Sequence, residues 1–232
     1  MNAALPPYFL SKNAYVCVSN DRVVMLDLQR GDYLAIEMSD ARALGGWVRD
    51  WPIPGAPTAK PEVLENLLTE GLLTADGAHG RDGPLVPRVI TPSASLYDSI
   101  DFRRVRIRAH HVCRFLLAIT LSAVLLRWVP MRHIISQVRA RKARSGAFDL
   151  DRARSLIAVY DALYVCFFDR KDECLRNSFF LLSFLAQYGL YPDWVFGVRP
   201  TPFLAHCWLQ YEGLVLNDTI RSTACLSPIL VI

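Results

Sequence analysis

Two neighbouring stretches near the C-terminus decide the fold. Residues 174–188 read CLRNSFFLLSFLAQY, and residues 194–211 read WVFGVRPTPFLAHCWLQY. The first stretch is apolar on nearly every side and ends before Gly189, so it predicts a central, buried helix. The second contains two apolar runs joined by RPTP and predicts two antiparallel strands. A helix that begins with a cysteine is therefore followed by a small antiparallel sheet that carries a histidine.

Three side chains in this region have the types that a cysteine hydrolase needs. Cys174 lies at the predicted N-terminus of the helix, where the dipole and free N–H groups stabilise a thiolate. His206 lies on a strand and can act as a general base toward the sulfur. Asp218 follows a hairpin twelve residues later and can orient the imidazole. The spacing alone is a weak signal, and a purely structural histidine is the alternative for His206.

The chain divides into an acidic and a basic part. Residues 1–80 hold 6 basic and 10 acidic side chains, whereas residues 81–232 hold 20 and 12. Between them, residues 79–92 read HGRDGPLVPRVITP, which is too rich in Gly and Pro to continue a helix or a central strand. The predicted organisation is a first domain at residues 1–78, a linker at 79–98 and a second domain at 99–232.

The first domain begins with the pattern of an antiparallel meander. Strand-like runs at residues 14–18, 22–28 and 33–36 are separated by turn residues. Short helices are predicted after Ser39, which suits an N-cap, and from Pro61, which suits a first helical turn. Strands followed by short helices predict a winged-helix-like module.

The charge of this module argues against DNA as its ligand. Nucleic-acid binding requires Lys and Arg to neutralise phosphates, and residues 1–80 carry a net charge of −4. An open edge strand can instead bind an extended peptide by main-chain hydrogen bonds. The predicted peptide-binding residues are Tyr33, Leu34, Ala35 and Ile36 on the last strand and Leu64, Leu67 and Leu68 on the second helix. The alternative is that these side chains only form the core.

The second domain begins with an apolar, arginine-studded helix at residues 100–129. Its uncharged run, residues 115–126, is shorter than the roughly 20 residues that a bilayer span needs, so it predicts a buried helix, with a membrane-surface contact as the alternative. Residues 103–154 contain 13 basic and 2 acidic side chains. Such a region suits an acidic partner, nucleic acid or anionic lipid, or is a set of solvated helix faces.

Targeting and metal-binding patterns are missing from the sequence. The N-terminus MNAALPPYFL lacks the basic and apolar regions of a secretory signal, so a cytoplasmic location with reduced thiols is expected. None of the six cysteines forms a C-x-x-C pair, so no metal site is predicted. No phosphate-binding G-x-x-x-x-G-K-[ST] sequence occurs, and no cofactor is expected.

Three short sequences resemble the lasso-peptide B proteins, which are transglutaminase-like leader peptidases. Residues 172–182, DECLRNSFFLL, resemble the family's Cys-Leu-x-x-Ser-x-x-Leu helix start. Residues 196–209, FGVRPTPFLAHCWL, resemble its Gly-Val…Pro-Phe-x-Ala-His-x-Trp segment, and residues 217–218 match its Asn-Asp. The resemblance covers about residues 150–220. The first domain resembles, by its layout, the family's PqqD-like leader-recognition module.

The resemblance implies an α+β protein in which a winged-helix-like leader-recognition module precedes a transglutaminase-like, papain-like cysteine protease domain with helices packed on a small antiparallel sheet. The module would bind the leader of a ribosomally made precursor peptide, and the protease domain would cut leader from core. Cys174 would be the nucleophile, His206 the base and Asp218 the orienting carboxylate. Water would hydrolyse the acyl-enzyme. A partner cyclase resembling asparagine synthetase would then use ATP to close the macrolactam.

Other functions remain open at this stage. The same three side chains would serve acyl transfer to an amine, as in arylamine acetyltransferases, and dependence on a primary amine would distinguish that reaction. A non-catalytic adaptor would carry a peptide on the acidic module and a partner on the basic region, and Cys174→Ala would leave its function intact. A winged-helix transcription factor is disfavoured by the acidic module.

Overall fold

The computed structural model describes residues 6–56, 59–81, 85–98, 105–168 and 173–232. Asp172 of the first resembling sequence, the predicted helix start at residue 100 and part of the predicted linker lie outside these ranges. The elements are β1 (Phe9–Leu10), β2 (Ala14–Ser19), β3 (Arg22–Asp27), β4 (Asp32–Glu37), α1 (Met38–Leu44), α2 (Glu62–Thr69), β5 (Leu73–Thr74), β6 (Ala94–Ser95), a 3₁₀ turn (Leu96–Asp98), α3 (Ala109–Trp128), α4 (Met131–Lys142), α5 (Leu150–Phe167), α6 (Cys174–Ala186), β7 (Asp193–Pro200), β8 (Phe203–Tyr211), β9 (Leu214–Val215), α7 (Ile220–Thr223) and β10 (Ser227–Val231).

The chain is a mixed α+β protein that forms two compact units. The first unit comprises Met1–Arg88, Gly197–Ala205 and Ser227–Leu230, and the second comprises Val89–Phe196, His206–Leu226 and Val231–Ile232. The predicted linker at residues 79–98 contains β6 and the 3₁₀ turn. The domain boundaries deduced from the sequence stay a prediction.

The first unit contains the predicted antiparallel meander. Strands β2, β3 and β4 are hydrogen-bonded in that order, with Ala14 opposite Asp27 and Arg22 opposite Glu37. Gly31, at φ 81°, turns the chain between β3 and β4 in a conformation that glycine adopts without strain. Among the described residues, β4 is the last strand in the order β2-β3-β4 and so lies at the edge of this sheet.

Short helices and a second small sheet complete the first unit. Strand β1 pairs with β5, and helices α1 and α2 supply apolar side chains to one core. Helix α1 begins one residue before Ser39, and Glu37 occupies the N-cap position. The prediction of Ser39 as the N-cap is therefore wrong. Leu44, Leu64 and Leu67 are fully buried in the core. The winged-helix character of this unit stays a prediction.

A five-stranded sheet has the order β10-β7-β8-β9-β6. The prediction of a purely antiparallel sheet is wrong at one edge, because β6 runs parallel to β9. The Ser93 N–H donates to the Gly213 carbonyl at 2.8 Å beside this pair. A strand that arrives from more than a hundred residues earlier in the chain follows no hairpin constraint, so local pattern did not reveal its direction.

Helix α6 is the central helix of the second unit, as its apolar sequence predicts. Phe180, Phe184 and Leu185 are fully buried. The helix ends before Gly189, which takes the predicted left-handed conformation at φ 78°. Helix α5 begins where the Asp149 carboxylate accepts the Arg152 N–H at 3.0 Å, an N-cap that satisfies a free donor.

Helix α3 differs from its prediction. It spans 20 residues, and in the described part of the chain it is the one helix long and apolar enough to cross a membrane by length and composition. The prediction of a buried helix is wrong, because only 17% of its most apolar 18-residue window is buried. Phe115, Ala118 and Ser122 are its buried residues. Local hydropathy cannot tell a helix packed on all sides from one packed on a single side.

A close backbone approach after α1 gives a test of the first unit. A methyl group on Gly45 would lie 2.4 Å from the Gly55 nitrogen and the Ile53 carbonyl oxygen. Gly45→Ala should therefore lower the free energy of unfolding by about 1–3 kcal/mol, measured by urea denaturation with circular dichroism. Gly146 has open space around the same position. Gly146→Ala should stay within about 0.5 kcal/mol of the wild type, and equal losses in both variants would contradict the packing.

Candidate active site

Cys174 is the first residue of α6, as predicted, and is half-buried. The Glu173 at the N-cap makes no side-chain cap hydrogen bond. Because the first N–H groups of a helix have no acceptor within the helix, those of the first turn remain available near the sulfur. The same groups and the helix dipole favour negative charge on the Cys174 thiol.

The structure brings His206 and Asp218 to Cys174. His206 Nε2 donates to Asp218 Oδ2 at 2.5 Å, and about four-fifths of each side chain is buried. His206 also forms a hydrogen bond with the Cys174 sulfur. Since Asp218 engages Nε2, Nδ1 is the ring nitrogen left for the sulfur. The three side chains thus form a line from carboxylate to imidazole to thiol, the geometry of a nucleophile, a base and an orienting group.

The surroundings of the site favour a thiolate on Cys174 together with an imidazolium on His206. A hydrogen bond from the Cys207 thiol holds the pKa of Cys174 well below its usual value, and His206 adds to the effect against the opposing influence of burial. Burial alone would lower the pKa of His206, but hydrogen bonds to Asp218 and Cys174 raise it to about 9. The Cys174–His206 pair is therefore an ion pair near neutral pH.

Main-chain contacts fix the carboxylate end of the line. Burial would raise the pKa of Asp218, but hydrogen bonds from His206 and the Thr219 N–H lower it, so it stays ionised. The Thr219 N–H donates to Asp218 Oδ1 at 2.7 Å, and Ser95 Oγ donates to the Asp218 carbonyl at 2.6 Å. Asn217 Oδ1 accepts the Leu209 N–H at 2.7 Å and ties the loop to β8. The two residues of the Asn-Asp pair therefore differ in role. Asn217 holds the loop against β8, and Asp218 in that loop contacts His206.

Ser178 connects the helix and the strands that carry the site, and sequence reasoning did not identify it. Its hydroxyl accepts the Trp194 Nε1–H at 2.9 Å and donates to the Cys174 carbonyl at 2.8 Å. It also lies 3.4 Å from the Cys207 sulfur. A signal was present, because a serine four residues after a helical cysteine can reach that cysteine's carbonyl one turn back.

Cys207 was also missed. It is buried beside the candidate nucleophile, and both its thiol and its backbone contribute hydrogen bonds to Cys174. The hydrogen bond to Cys174 and burial raise the pKa of Cys207, so this thiol stays protonated and acts as a donor. Its place next to His206 in the sequence was the available signal.

An open cavity of about 480 Å³ adjoins Cys174. The other lining residues are Ala123, Leu126, Arg127, Glu173, Leu175 and Arg176. Glu173 and Arg176 form an ion pair across one turn of its wall. Cys174 therefore lines a cavity that is open to solvent. Within the described residues, no group of three or more His, Cys, Asp and Glu side chains is arranged to hold a metal ion.

The predicted peptide-binding residues have different surroundings in the first unit. Leu34 and Ala35 on β4 are exposed and Tyr33 is half-buried, whereas Ile36 is buried. On α2, Leu68 is half-buried, whereas Leu64 and Leu67 belong to the core. The Tyr33 ring contacts the Phe203 ring, with centroids 5.6 Å apart. Peptide binding at this edge stays a prediction.

Comparison with known families shows the superfamily to which the chain belongs. The profile of the Transglutaminase-like superfamily matches residues 115–231, slightly more than half of the chain. The chain therefore belongs to the transglutaminase-like superfamily, whose members are typically cysteine proteases and acyltransferases. The matched range contains Cys174, His206 and Asp218. No curated protein and no solved structure matches the chain.

Thiol alkylation tests the ion pair without a substrate. At pH 6, iodoacetamide should modify Cys174 faster than the exposed Cys113, because the thiolate is the reacting form. His206→Gln should slow the modification of Cys174 about tenfold or more, since the loss of the positive partner raises its pKa. Peptide mapping by mass spectrometry gives both rates in one sample.

The matched control for this experiment is His133→Gln, which removes an exposed histidine from α4. It should leave the rate at Cys174 unchanged. A wild-type Cys174 that reacts no faster than Cys113 at pH 6, with no response to His206→Gln, would contradict the ion pair.

Proposed function

We propose that this protein is a cysteine peptidase that cleaves the leader from the core of a ribosomally synthesised lasso-peptide precursor. The observation that carries the proposal is the line of Cys174, His206 and Asp218, with 2.5 Å between the imidazole and the carboxylate. Membership of a superfamily of cysteine proteases and acyltransferases supports the reaction class. The resemblance of residues 172–218 to the lasso-peptide B proteins supports the substrate class.

The first chemical step is attack of the Cys174 thiolate on the scissile carbonyl. The N–H groups of the first turn of α6 have no acceptor within the helix, and in this proposal they donate to the oxyanion that forms beside the sulfur. The imidazolium of His206 then gives its proton to the leaving amine of the core peptide. The leader remains as a thioester on Cys174.

The second step is hydrolysis of this thioester. His206 is now neutral and takes a proton from water, which attacks the thioester carbonyl and releases the leader as a carboxylic acid. Asp218 keeps the imidazole in the orientation that serves both steps and stabilises its positive form. Water and the peptide are the only reactants, so the peptidase needs no cofactor.

In this proposal the leader binds along β4, the edge strand of the meander. An extended peptide adds to such an edge through main-chain hydrogen bonds, and exposed side chains such as Leu34 then contact the peptide. Tyr33 of this strand packs on Phe203, which precedes His206 by three residues in β8.

The proposed setting follows from the substrate. The freed amine of the core peptide is the nucleophile for macrolactam closure, which a partner cyclase resembling asparagine synthetase would drive with ATP. The proposed location is the cytoplasm, where ribosomal precursors and ATP are present and thiols stay reduced.

Cleavage of the precursor is the direct test. The precursor peptide encoded beside this chain is incubated with the purified protein, with and without the cyclase and ATP, and masses are followed over time. The wild type should release intact leader and core, whereas Cys174→Ala should release neither. Cys113→Ala, which changes an exposed cysteine of α3, is the matched control and should retain activity.

The other functions give different results in the same experiment. Amine transfer predicts that leader release depends on an added primary amine and that the leader gains the mass of that amine. A non-catalytic adaptor predicts that the wild type and Cys174→Ala bind the precursor equally and that neither cuts it. Either result would overturn the peptidase proposal.

The pH dependence of kcat/KM should report the ion pair. Activity should persist well below the usual thiol pKa and fall above pH about 9, where His206 loses its proton. In Asp218→Asn the neutral amide no longer raises the pKa of His206, so the alkaline limb should move down by about one pH unit or more. The rate should also fall about 10²–10⁴-fold. An unchanged alkaline limb in this variant would exclude Asp218 as the orienting group.

A further inference from the structure

One face of α3 exposes a row of large apolar side chains in the second unit. Leu117, Leu121, Val124 and Trp128 are 58%, 49%, 50% and 75% exposed. Intervals of four, three and four residues place these side chains on one line along a helix of 3.6 residues per turn. We call this row the apolar stripe.

Hydrogen bonds from two positions of α3 hold the helix to the rest of the second unit. Ser122 Oγ donates to Ser183 Oγ of α6 at 2.7 Å. Arg114 and Gln187 exchange two hydrogen bonds, from Nη1 to a carbonyl at 3.2 Å and from Nε2 to a carbonyl at 2.8 Å. A helix held in this way cannot cross a bilayer alone without breaking these buried contacts. It can lie in the plane of a membrane surface with the stripe outward.

The sequence around the stripe is strongly basic, and one arginine lies beside the stripe in the structure. Residues 103–154 contain 13 basic and 2 acidic side chains, and the run from 115 to 126 has no charge at all. Arg139, Arg141 and Arg144 are exposed. Arg141 of α4 lines the same groove, of about 250 Å³, as Leu117 and Leu121 of the stripe. A positive charge therefore adjoins the apolar surface directly.

The C-terminal end of the stripe has the composition of a membrane interface. The Trp128 ring is largely exposed, and the Arg127 guanidinium lies 5.1 Å from its centroid. Indole rings concentrate at the boundary between lipid headgroups and acyl chains, and arginines beside them reach the phosphates.

We propose that the apolar stripe binds the surface of an anionic phospholipid membrane. The stripe enters the boundary of the acyl chains, and Arg141 of α4 and the following Arg144 contact the lipid phosphates. Charge complementarity favours this occupant over a second copy, because two copies joined at the stripe would bring two strongly basic surfaces together. The proposal goes beyond the peptidase function and does not depend on it.

Vesicle co-sedimentation of the full chain tests the proposal. Sucrose-loaded vesicles of phosphatidylcholine alone are compared with vesicles in which about one lipid in three is phosphatidylglycerol, which is anionic. Both are measured at about 0.1 M salt. The wild type should bind the anionic vesicles at least about tenfold more tightly than the neutral ones, with weaker binding at higher salt. Equal or absent binding to both would overturn the proposal.

Variants separate the two contributions. Leu117→Gln with Leu121→Gln should weaken binding to anionic vesicles about tenfold or more, because the side chains that enter the acyl boundary become polar. Arg141→Gln with Arg144→Gln should weaken it severalfold and reduce its salt dependence. The matched control is Ile90→Gln, which changes an isoleucine that is 59% exposed outside α3 and should bind like the wild type. Circular dichroism and thermal unfolding establish that each variant is folded.

A second measurement locates the stripe relative to the lipid. A quencher attached near the headgroup of the anionic lipid should reduce the tryptophan emission of the wild type, and this part of the quenching should disappear in Trp128→Phe. Unchanged quenching in that variant would place another surface on the membrane and overturn the proposal.

Two further results would also overturn it. Light scattering that detects a dimer of the wild type, converted to a monomer by the double leucine substitution, would make the stripe an interface between copies. Binding of the purified cyclase that is lost in the same variant, without any binding to vesicles, would make it a protein docking surface.

Discussion

The Ser178 hydroxyl joins the three elements on which the active site depends. It accepts a hydrogen bond from Trp194 on β7, donates to the Cys174 carbonyl in α6 and contacts Cys207 on β8. All of these groups are buried or half-buried, so a missing partner would leave a polar group without water. The hydroxyl therefore sets the position of α6 against both strands. The distance between the sulfur of Cys174 and the ring of His206 follows from that packing.

The electrostatics of the site depend on the same rigidity. Burial opposes every charge in the line, because it disfavours the thiolate of Cys174, the imidazolium of His206 and the carboxylate of Asp218 alike. Hydrogen bonds between neighbours reverse all three effects, but only at short distance. A change in the angle between α6 and β8 that lengthened these contacts would leave a neutral thiol beside a neutral imidazole. The charged form of the site is thus a property of the packing as much as of the three residues.

The sequence allowed a good prediction of elements whose signals are local. The apolar run of α6, its end before Gly189 and the hairpin between β7 and β8 depend on neighbouring residues, and the structure places them as expected. Cys174, His206 and Asp218 were located through short sequence motifs and their order along the chain. The structure brings these residues together, while their catalytic roles stay a prediction.

Features set by distant parts of the chain were not accessible in this way. The parallel direction of β6 depends on residues 94–95 pairing with residues 214–215. The exposure of α3 depends on which neighbours cover it, and within the described residues it packs mainly against α6, with a smaller contact to α5. The apolar composition of a helix shows that its exposure to water is unfavourable, but it does not show whether the folded protein leaves the helix exposed. For that reason the error at α3 is informative, since an apolar helix left exposed needs a function that accounts for it.

Cys207 illustrates how a neighbour can assist a nucleophile without competing with it. Two thiols in contact would share one negative charge equally if their surroundings were the same. Here Cys174 has the helix N-terminus and His206, whereas Cys207 is enclosed by apolar groups and Ser178. The charge therefore stays on Cys174, and Cys207 keeps its proton and donates a hydrogen bond to the thiolate. A serine at position 207 would donate a stronger hydrogen bond and make the thiolate a weaker nucleophile, whereas an alanine would leave the thiolate with one donor fewer. A weak, buried S–H donor lies between these extremes, because it favours the charged form of Cys174 and leaves most of its reactivity.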